Sequence, residues 1–304
     1  VGKTPDEISF AIQKKILLIN AESENELKII QKIAYKKKKK IDVGLRLNPN
    51  IDAKTLRKIS TGRNEDKFGI SDKSFVKLLK KFHNSKNINI KCLSVHIGSQ
   101  ILDYRPYSKM VSVIDNIIKK TKYKFDYIDL GGGMGIDYHS NSKKLDYKKY
   151  SLVIKNFLKK HKVKIIFEPG RSIIGNTGSL ISKVIYVKSS SKKNFVILDS
   201  AMNDFMRPAL YGSYHRIIPA IKNNTVIKKI HDFVGPICET TDSFLSLKKY
   251  QKINENDVLA ICDTGAYGIV LASNYNLRTK PAEIMINKSN FKVISKRENI
   301  NKIA

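Results

Sequence analysis

The 304 residues, 41% of them hydrophobic, leave room for two domains with buried cores. No apolar run approaches the ~18 residues of a membrane-spanning helix, and three cysteines without a CxxC pair exclude a disulfide scaffold and a cysteine-rich zinc module. The net charge of +30 invites a nucleic-acid reading, but the 57 basic residues are 48 Lys and only nine Arg, with no Trp to stack on bases. The lysines fall in helix-like stretches such as 36–40, 119–120 and 159–160, where solvated faces account for them. No specific nucleic-acid or membrane partner is expected.

In chain order, short apolar runs at 16–20, 43–48, 93–98, 127–131 and 165–170 read as strands buried on both faces. Between them, 24–36, 74–82, 107–120 and 147–160 carry helical periodicity. Strand–helix alternation of this kind builds a parallel α/β sheet. Asn20, Arg46 with Asn48, His96, Asp129 and Glu168 place a polar group at the end of every run. This favours a β/α barrel, whose active site is built from strand ends, over an open doubly wound sheet, which gathers such groups at one crevice. Only five strands are visible, so about three strand–helix units are expected upstream of Val1. A start without Met or a charged-then-apolar leader fits a piece of a longer cytoplasmic protein. After Gly178 the runs at 180–188, 195–198, 227–234, 258–262 and 282–286 are β-rich. The expected organisation is a partial barrel over 1–178 and a mainly β domain over 179–304.

Six segments carry chemistry. Gly131-Gly132-Gly133 follows a strand directly, and bare peptide amides can approach a phosphate, though a tight turn is an equal explanation. Glu168 and Arg171 flank Pro169-Gly170, and together they suit a cofactor with a cationic ring nitrogen and an anionic group; a local ion pair is the plainer reading. His96 at a strand end can stack on a flat ring, with no metal-ligand spacing around it. Arg207 and Tyr211 share one face of a helical turn, suited to a carboxylate unless Asp199 or Asp204 neutralises the Arg. Cys238 beside Glu239 offers a thiol proton donor where a buried structural cysteine is the common case, and Tyr267 offers a hydroxyl on a glycine-flanked turn.

Together, HIGSQI (96–101), DLGGGMGIDY (129–138), EPGRSI (168–173), DSAMNDFMRPALYGSYH (199–215), GPICETTD (235–242), DTGAYG (263–268) and SNYNLRTKPAE (273–283) resemble the diaminopimelate decarboxylases. These are pyridoxal-phosphate enzymes of the alanine-racemase-like barrel type (fold type III). EPGR and GGG are shared with ornithine and arginine decarboxylases, whereas MNDFMRPALY and GPICE are far more specific. The resemblance implies a (β/α)8-type barrel, incomplete here, followed by a mainly β domain. It implies that Gly131, Gly132, Gly133, Pro169, Gly170, Arg171 and Tyr267 hold the cofactor, that Glu168 meets its pyridine nitrogen, and that His96 stacks on its ring with Ser99 nearby. Arg171, Arg207, Tyr211 and Tyr267 would bind substrate and Glu239 its distal amino group. Cys238, the implied proton donor, and Glu239 would come from the other subunit of a homodimer.

The implied reaction is decarboxylation of meso-2,6-diaminopimelate to L-lysine and CO2, the last step of lysine biosynthesis. The alternatives are a decarboxylase of ornithine, arginine or carboxynorspermidine, and a non-catalytic regulatory homologue. No segment resembles the family's Schiff-base lysine context, so that lysine is expected outside this sequence. The loop 58–69, with its glycines and polar residues, is a candidate cover for the site.

Overall fold

The computed structural model describes residues 1–55, 58, 61–141 and 143–303. It divides into two compact units, one of Val1–Ile136 with Lys143–Gly170, the other of Asp137–Ser142 with Arg171–Ala304.

The first unit alternates helices and strands: α1 (Pro5–Gln13), β1 (Ile19–Ala21), α2 (Glu24–Lys36), β2 (Ile41–Arg46), α3 (Asp72–Phe82), β3 (Ile88–Ser94), α4 (Arg105–Thr121), β4 (Tyr127–Asp129), α5 (Tyr147–Lys160) and β5 (Lys164–Ile166). The strands pair in parallel and in chain order, β1 to β5, without the order reversal of a doubly wound sheet. This is a parallel barrel-like α/β arrangement. Its core fills the space between sheet and helices with Leu27, Ile30, Leu45, Phe75, Leu93, Tyr107, Ile114 and Ile128, all essentially inaccessible. The helix starts are chemically marked. Ser23 Oγ accepts from Glu26 N–H at 3.1 Å and Asp146 from Lys149 N–H at 3.0 Å, satisfying first-turn amides. Against the apolar runs in sequence, β2 and β3 begin two and five residues early, β4 and β5 begin at or one residue before theirs, and β1 begins three residues late because Ile16 and Leu17 are exposed. Strand β3 ends at Ser94, so His96 stands on the loop beyond it.

The second unit opens with α6 (Arg171–Ile174) and continues through β6 (Leu180–Ser189), β7 (Lys193–Leu198), α7 (Arg207–Tyr211), β8 (Ile217–Pro219), β9 (Val226–Ile227), β10 (Ile230–Val234), β11 (Ser243–Leu247), β12 (Tyr250–Gln251), β13 (Val258–Ile261), β14 (Glu283–Asn287) and β15 (Asn290–Ser295). Six strands form one sheet in the order β11-β10-β7-β6-β13-β8, over a core of Val184, Val196, Leu198, Phe205, Phe233 and Leu259. Strict alternation in β7, which turns Asn194, Val196 and Leu198 inward, is the half-buried pattern expected of such a sheet. The division between units lies at Gly170/Arg171, ahead of the 178/179 position suggested by composition. The reason is local: Gly175 and Gly178 carbonyls accept from Gly265 N–H at 3.1 Å and Thr264 N–H at 2.9 Å, tying 171–178 to the β-rich part. No described helix is long and apolar enough to cross a membrane.

Candidate active site

In the first unit, the strand ends converge on Asp129, which is 1% exposed. Its carboxylate accepts from Asn20 Nδ2 at 2.8 Å, Ser94 Oγ at 3.2 Å and Gly131 N–H at 2.9 Å, so β1, β3, β4 and the glycine turn are fastened to one group. Glu168, just beyond β5, is hydrogen-bonded to Asp129. Desolvation of its carboxyl group, then the Asp129 charge and that hydrogen bond, raise its proton affinity, and Arg46 opposes them. Glu168 is exposed as a residue, so the pairing with Asp129 is the stronger of these reasons. Two carboxyl groups in contact need a proton or a cation between them.

The glycine triplet answers first to backbone geometry. Gly131 and Gly133 have φ of +62° and +88°, and a Cβ at Gly132 would lie 2.1 Å from the Glu168 carbonyl oxygen. Two of its three amides are spent inside the protein, Gly131 N–H on Asp129 and Gly132 N–H on His96 Nδ1 at 3.1 Å. Gly133 N–H has no partner among the described residues. Accepting at Nδ1 leaves a neutral His96 with its proton on Nε2. Burial, then the Arg46 charge, push His96 down to about 4 against the pull of Asp129 and Glu22. A flat, neutral imidazole is the form suited to stacking. Ser99 lies three residues on, half-buried.

In the second unit, Arg171 and Arg207 are 5% and 6% exposed. The Arg171 guanidinium carbon stands 4.9 Å from the Tyr267 ring centre and 5.8 Å from that of Tyr138, and it donates to the Tyr138 hydroxyl. Arg207 stands 5.4 Å from the same Tyr138 ring and 5.8 Å from that of Tyr211, one helical turn along α7. Its Nε is 3.3 Å from Nε2 of the fully buried His215. Burial first, and the Arg171 charge with it, lower the proton affinity of Arg207. Asp204 and Asp199 do not neutralise it. Asp204 accepts from Ala201 N–H and Asn203 Nδ2, and Asp199 from Ser182 Oγ and Lys183 N–H. No carboxylate reaches ion-pair distance of Arg207 among the described residues. A buried guanidinium with aromatic and imidazole neighbours is an anion-binding arrangement. Tyr267 is held at a φ of +58°, a costly conformation for a bulky residue. Its loop lies so close to α6 that a Cβ on Gly265 would fall 2.0 Å from the Ile174 carbonyl oxygen.

The structure does not bring Cys238 and Glu239 to this guanidinium pair. Both are exposed; Cys238 Sγ is 3.9 Å from Asn276 Nδ2, while Glu239 accepts from Tyr275 and from Thr241 Oγ1. Pro169 and Gly170 are exposed and link Glu168 to Arg171. Residues 59 and 60 of the candidate covering loop lie outside the described residues. Sequence reasoning gave no role to Tyr138 or His215, although both end motifs it singled out, and it noted Asp129 only as a strand-end polar group.

Two histidines, His96 in the first unit and His215 in the second, make stability acid-sensitive. His215 is also pushed down to about 4, by burial and then by Arg207 and Arg171, against the bond to the Cys262 carbonyl. Each folded value lies below the ordinary 6.5, so the unfolded chain takes up more protons in acid. The stability they contribute is whole above pH ~6.5 and is lost progressively toward pH 4, by at most about 3 kcal/mol for His215 and less for the partly exposed His96. Thermal unfolding of the full-length protein from pH 7 to 4.5 should therefore lose part of its slope in His96→Gln. An unaltered slope would show that His96 is not neutral in the fold.

In the first unit, a strand-end carboxyl pair able to meet a cationic N–H, a neutral imidazole and a glycine turn fit a phosphorylated pyridine cofactor; in the second, the buried arginines by themselves suit a carboxylate. Residues 1–175 match the family model of the pyridoxal-dependent decarboxylase pyridoxal-binding domain, and the fold and site define that class. The diaminopimelate decarboxylase of Aquifex aeolicus is 40% identical over 304 residues, 98% of this chain and 72% of the relative. That of Neisseria meningitidis serogroup B is 38% identical over 306 residues, 99% of this chain and 72% of the relative. The crystal structure of the Helicobacter pylori diaminopimelate decarboxylase complexed with L-lysine is similar with a TM-score of 0.92 and 37% identity, over 100% of this chain and 76% of that one. The chain belongs to the diaminopimelate decarboxylase family.

Proposed function

We propose that this protein removes CO2 from meso-2,6-diaminopimelate to give L-lysine, using pyridoxal 5'-phosphate. The buried, carboxylate-free Arg207 beside Arg171 carries the reading. Two guanidinium groups attract a second carboxylate, whereas the distal ammonium of ornithine or guanidinium of arginine would meet like charge there. Bound pyridoxal phosphate supplies an electron sink for the pair of electrons left when the carboxylate departs.

The chain's own residues have distinct tasks. Glu168, backed by Asp129, would hold a proton at the pyridine nitrogen, and His96 would lie against the ring with Ser99 beside it. Gly133 N–H, Tyr267 and Arg171, with the Gly131–Gly132 and Pro169–Gly170 turns, would bind the phosphate. Arg207, Tyr211 and Arg171 would clamp the distal carboxylate. Glu239 would accept from the distal ammonium and Cys238 Sγ would return a proton to the substrate carbon. Their exposure leaves both available to a second copy of the chain, and the resemblance supports a homodimer with shared sites. The cytoplasmic reading rests on three free thiols, as suits a reducing compartment.

The test is CO2 release by the full-length, cofactor-loaded protein, assayed in parallel on meso-diaminopimelate, ornithine, arginine and carboxynorspermidine. Release from the first, with L-lysine formed in equal amount, is expected. Preference for any of the others, or no release at all, overturns the assignment.

A further inference from the structure

We propose that His215 is the positioning residue for Arg207: a fixed neutral imidazole that aims the guanidinium at the substrate carboxylate without neutralising it. The proposal deepens the reading of Arg207 as a carboxylate clamp and rests on it.

His215 ends the 199–215 motif and has no exposed surface. Its two ring nitrogens face partners of opposite character. Nδ1 is 2.9 Å from the Cys262 carbonyl oxygen, which can only accept. Nε2 is 3.3 Å from Arg207 Nε, which can only donate. One tautomer satisfies both contacts, with the proton on Nδ1 and the lone pair of Nε2 turned to Arg207. Two aromatic rings flank the imidazole. Phe205 packs edge-on at 4.6 Å and 85°, and Tyr138 at 4.9 Å and 69°.

This geometry divides the labour within Arg207. Its Nε–H is engaged by His215, while no acceptor meets its terminal nitrogens among the described residues. Those terminal nitrogens form the edge that takes a carboxylate with two parallel bonds. Buried arginines are commonly oriented by Asp or Glu, but a carboxylate at this position would form an internal ion pair and compete with substrate. A neutral acceptor orients the side chain and leaves its charge for the ligand. Tyr138 completes the arrangement, since its ring lies beside both guanidinium groups and against His215.

Asn and Gln separate the two contacts. An Asn amide nitrogen can replace Nδ1 at the Cys262 carbonyl but cannot reach Arg207, whereas a Gln amide oxygen can take the place of Nε2. In the full-length, cofactor-loaded protein, His215→Asn should raise KM for meso-diaminopimelate about 10-fold or more, with kcat within about threefold. His215→Gln should stay within about threefold of the unmodified KM. Nitrogen-15 NMR of the unmodified protein should show His215 protonated at Nδ1 and bare at Nε2 at neutral pH. A bare Nδ1, an equal KM effect of Asn and Gln, or a fall in kcat at constant KM overturns the proposal. The NMR measurement also decides the case if His215→Asn fails to fold. Should the unmodified protein ignore meso-diaminopimelate, the functional reading falls by itself, and the tautomer still tests His215.

Discussion

Replacing Glu168 with alanine should lower kcat about 10²- to 10³-fold, the usual cost of removing one group aimed at developing charge, while leaving most of the cofactor bound. On the proposed roles, cofactor retention would rest on several groups besides Glu168, so one lost contact should move it little. On the same proposal, turnover would depend on a single proton held at the ring nitrogen. Asp129 already receives three donors, so a proton placed between the two carboxyl groups goes to Glu168, whose proton affinity burial and Asp129 both raise. A cationic N–H presented there would take over the role of that shared proton, with both carboxyl groups negative behind it. Glu168→Gln keeps the shape but presents no charge, and it should be nearly as slow as alanine. CO2 release gives kcat, and visible absorbance after dialysis gives retained cofactor. If both fall together, Glu168 is a binding residue; if neither falls, its assigned role is wrong.

Elements whose periodicity matched their burial could be read from sequence. Helices α2 and α5 span 24–36 and 147–160 as expected, because each presents one apolar stripe, Leu27-Ile30-Ala34 and Tyr150-Ile154-Phe157, after a capping side chain. The barrel-like order followed from the polar strand ends. Strand β3 came out displaced and β4 shorter than its run, since Val95, Ile97 and Leu130 are buried in the loops that leave them. Apolar content marks burial, and here burial continues past the last ladder hydrogen bond. Helix α1 escaped notice because it buries only Ile8 and Ile12, although Thr4, Pro5 and Glu7 form a capping box around a Pro at the first position. Glu168, Arg171 and Arg207 were singled out by their motifs. Their partners were hidden because a contact such as His215 to Cys262, 47 residues apart, leaves no local spacing. The competing local explanation for Arg207, an ion pair with Asp199 or Asp204, failed because backbone amides and Asn203 occupy those carboxylates.

Arg207→Met should abolish useful catalysis and yet leave the fold as stable as before, or more so. Met fills comparable volume in apolar form, so packing against Tyr138 and Tyr211 is largely kept. The charge itself opposes folding. Burial and the neighbouring Arg171 lower the proton affinity of Arg207 below that of a free guanidinium, and a cation with a lowered value in the fold is better accommodated in the unfolded chain. Removing it also relieves like-charge repulsion on Arg171. Against this stand a bond from Arg207 to His215 and two cation–π contacts of about 0.5–1 kcal/mol each. The substrate carboxylate loses a two-pronged, charge-assisted partner, so kcat/KM for meso-diaminopimelate should fall about 10²-fold or more. Lysine is no substitute, since a point charge gives neither the planar fork nor an Nε–H for His215. Paired measurements of kcat/KM and Tm on the full-length protein separate the two possibilities. Activity lost at an equal or higher Tm marks a charge kept for its ligand, as in other sites where function is held at the expense of stability. Activity and Tm falling together would instead make Arg207 a structural residue and remove the reason to prefer a dicarboxylate substrate over ornithine.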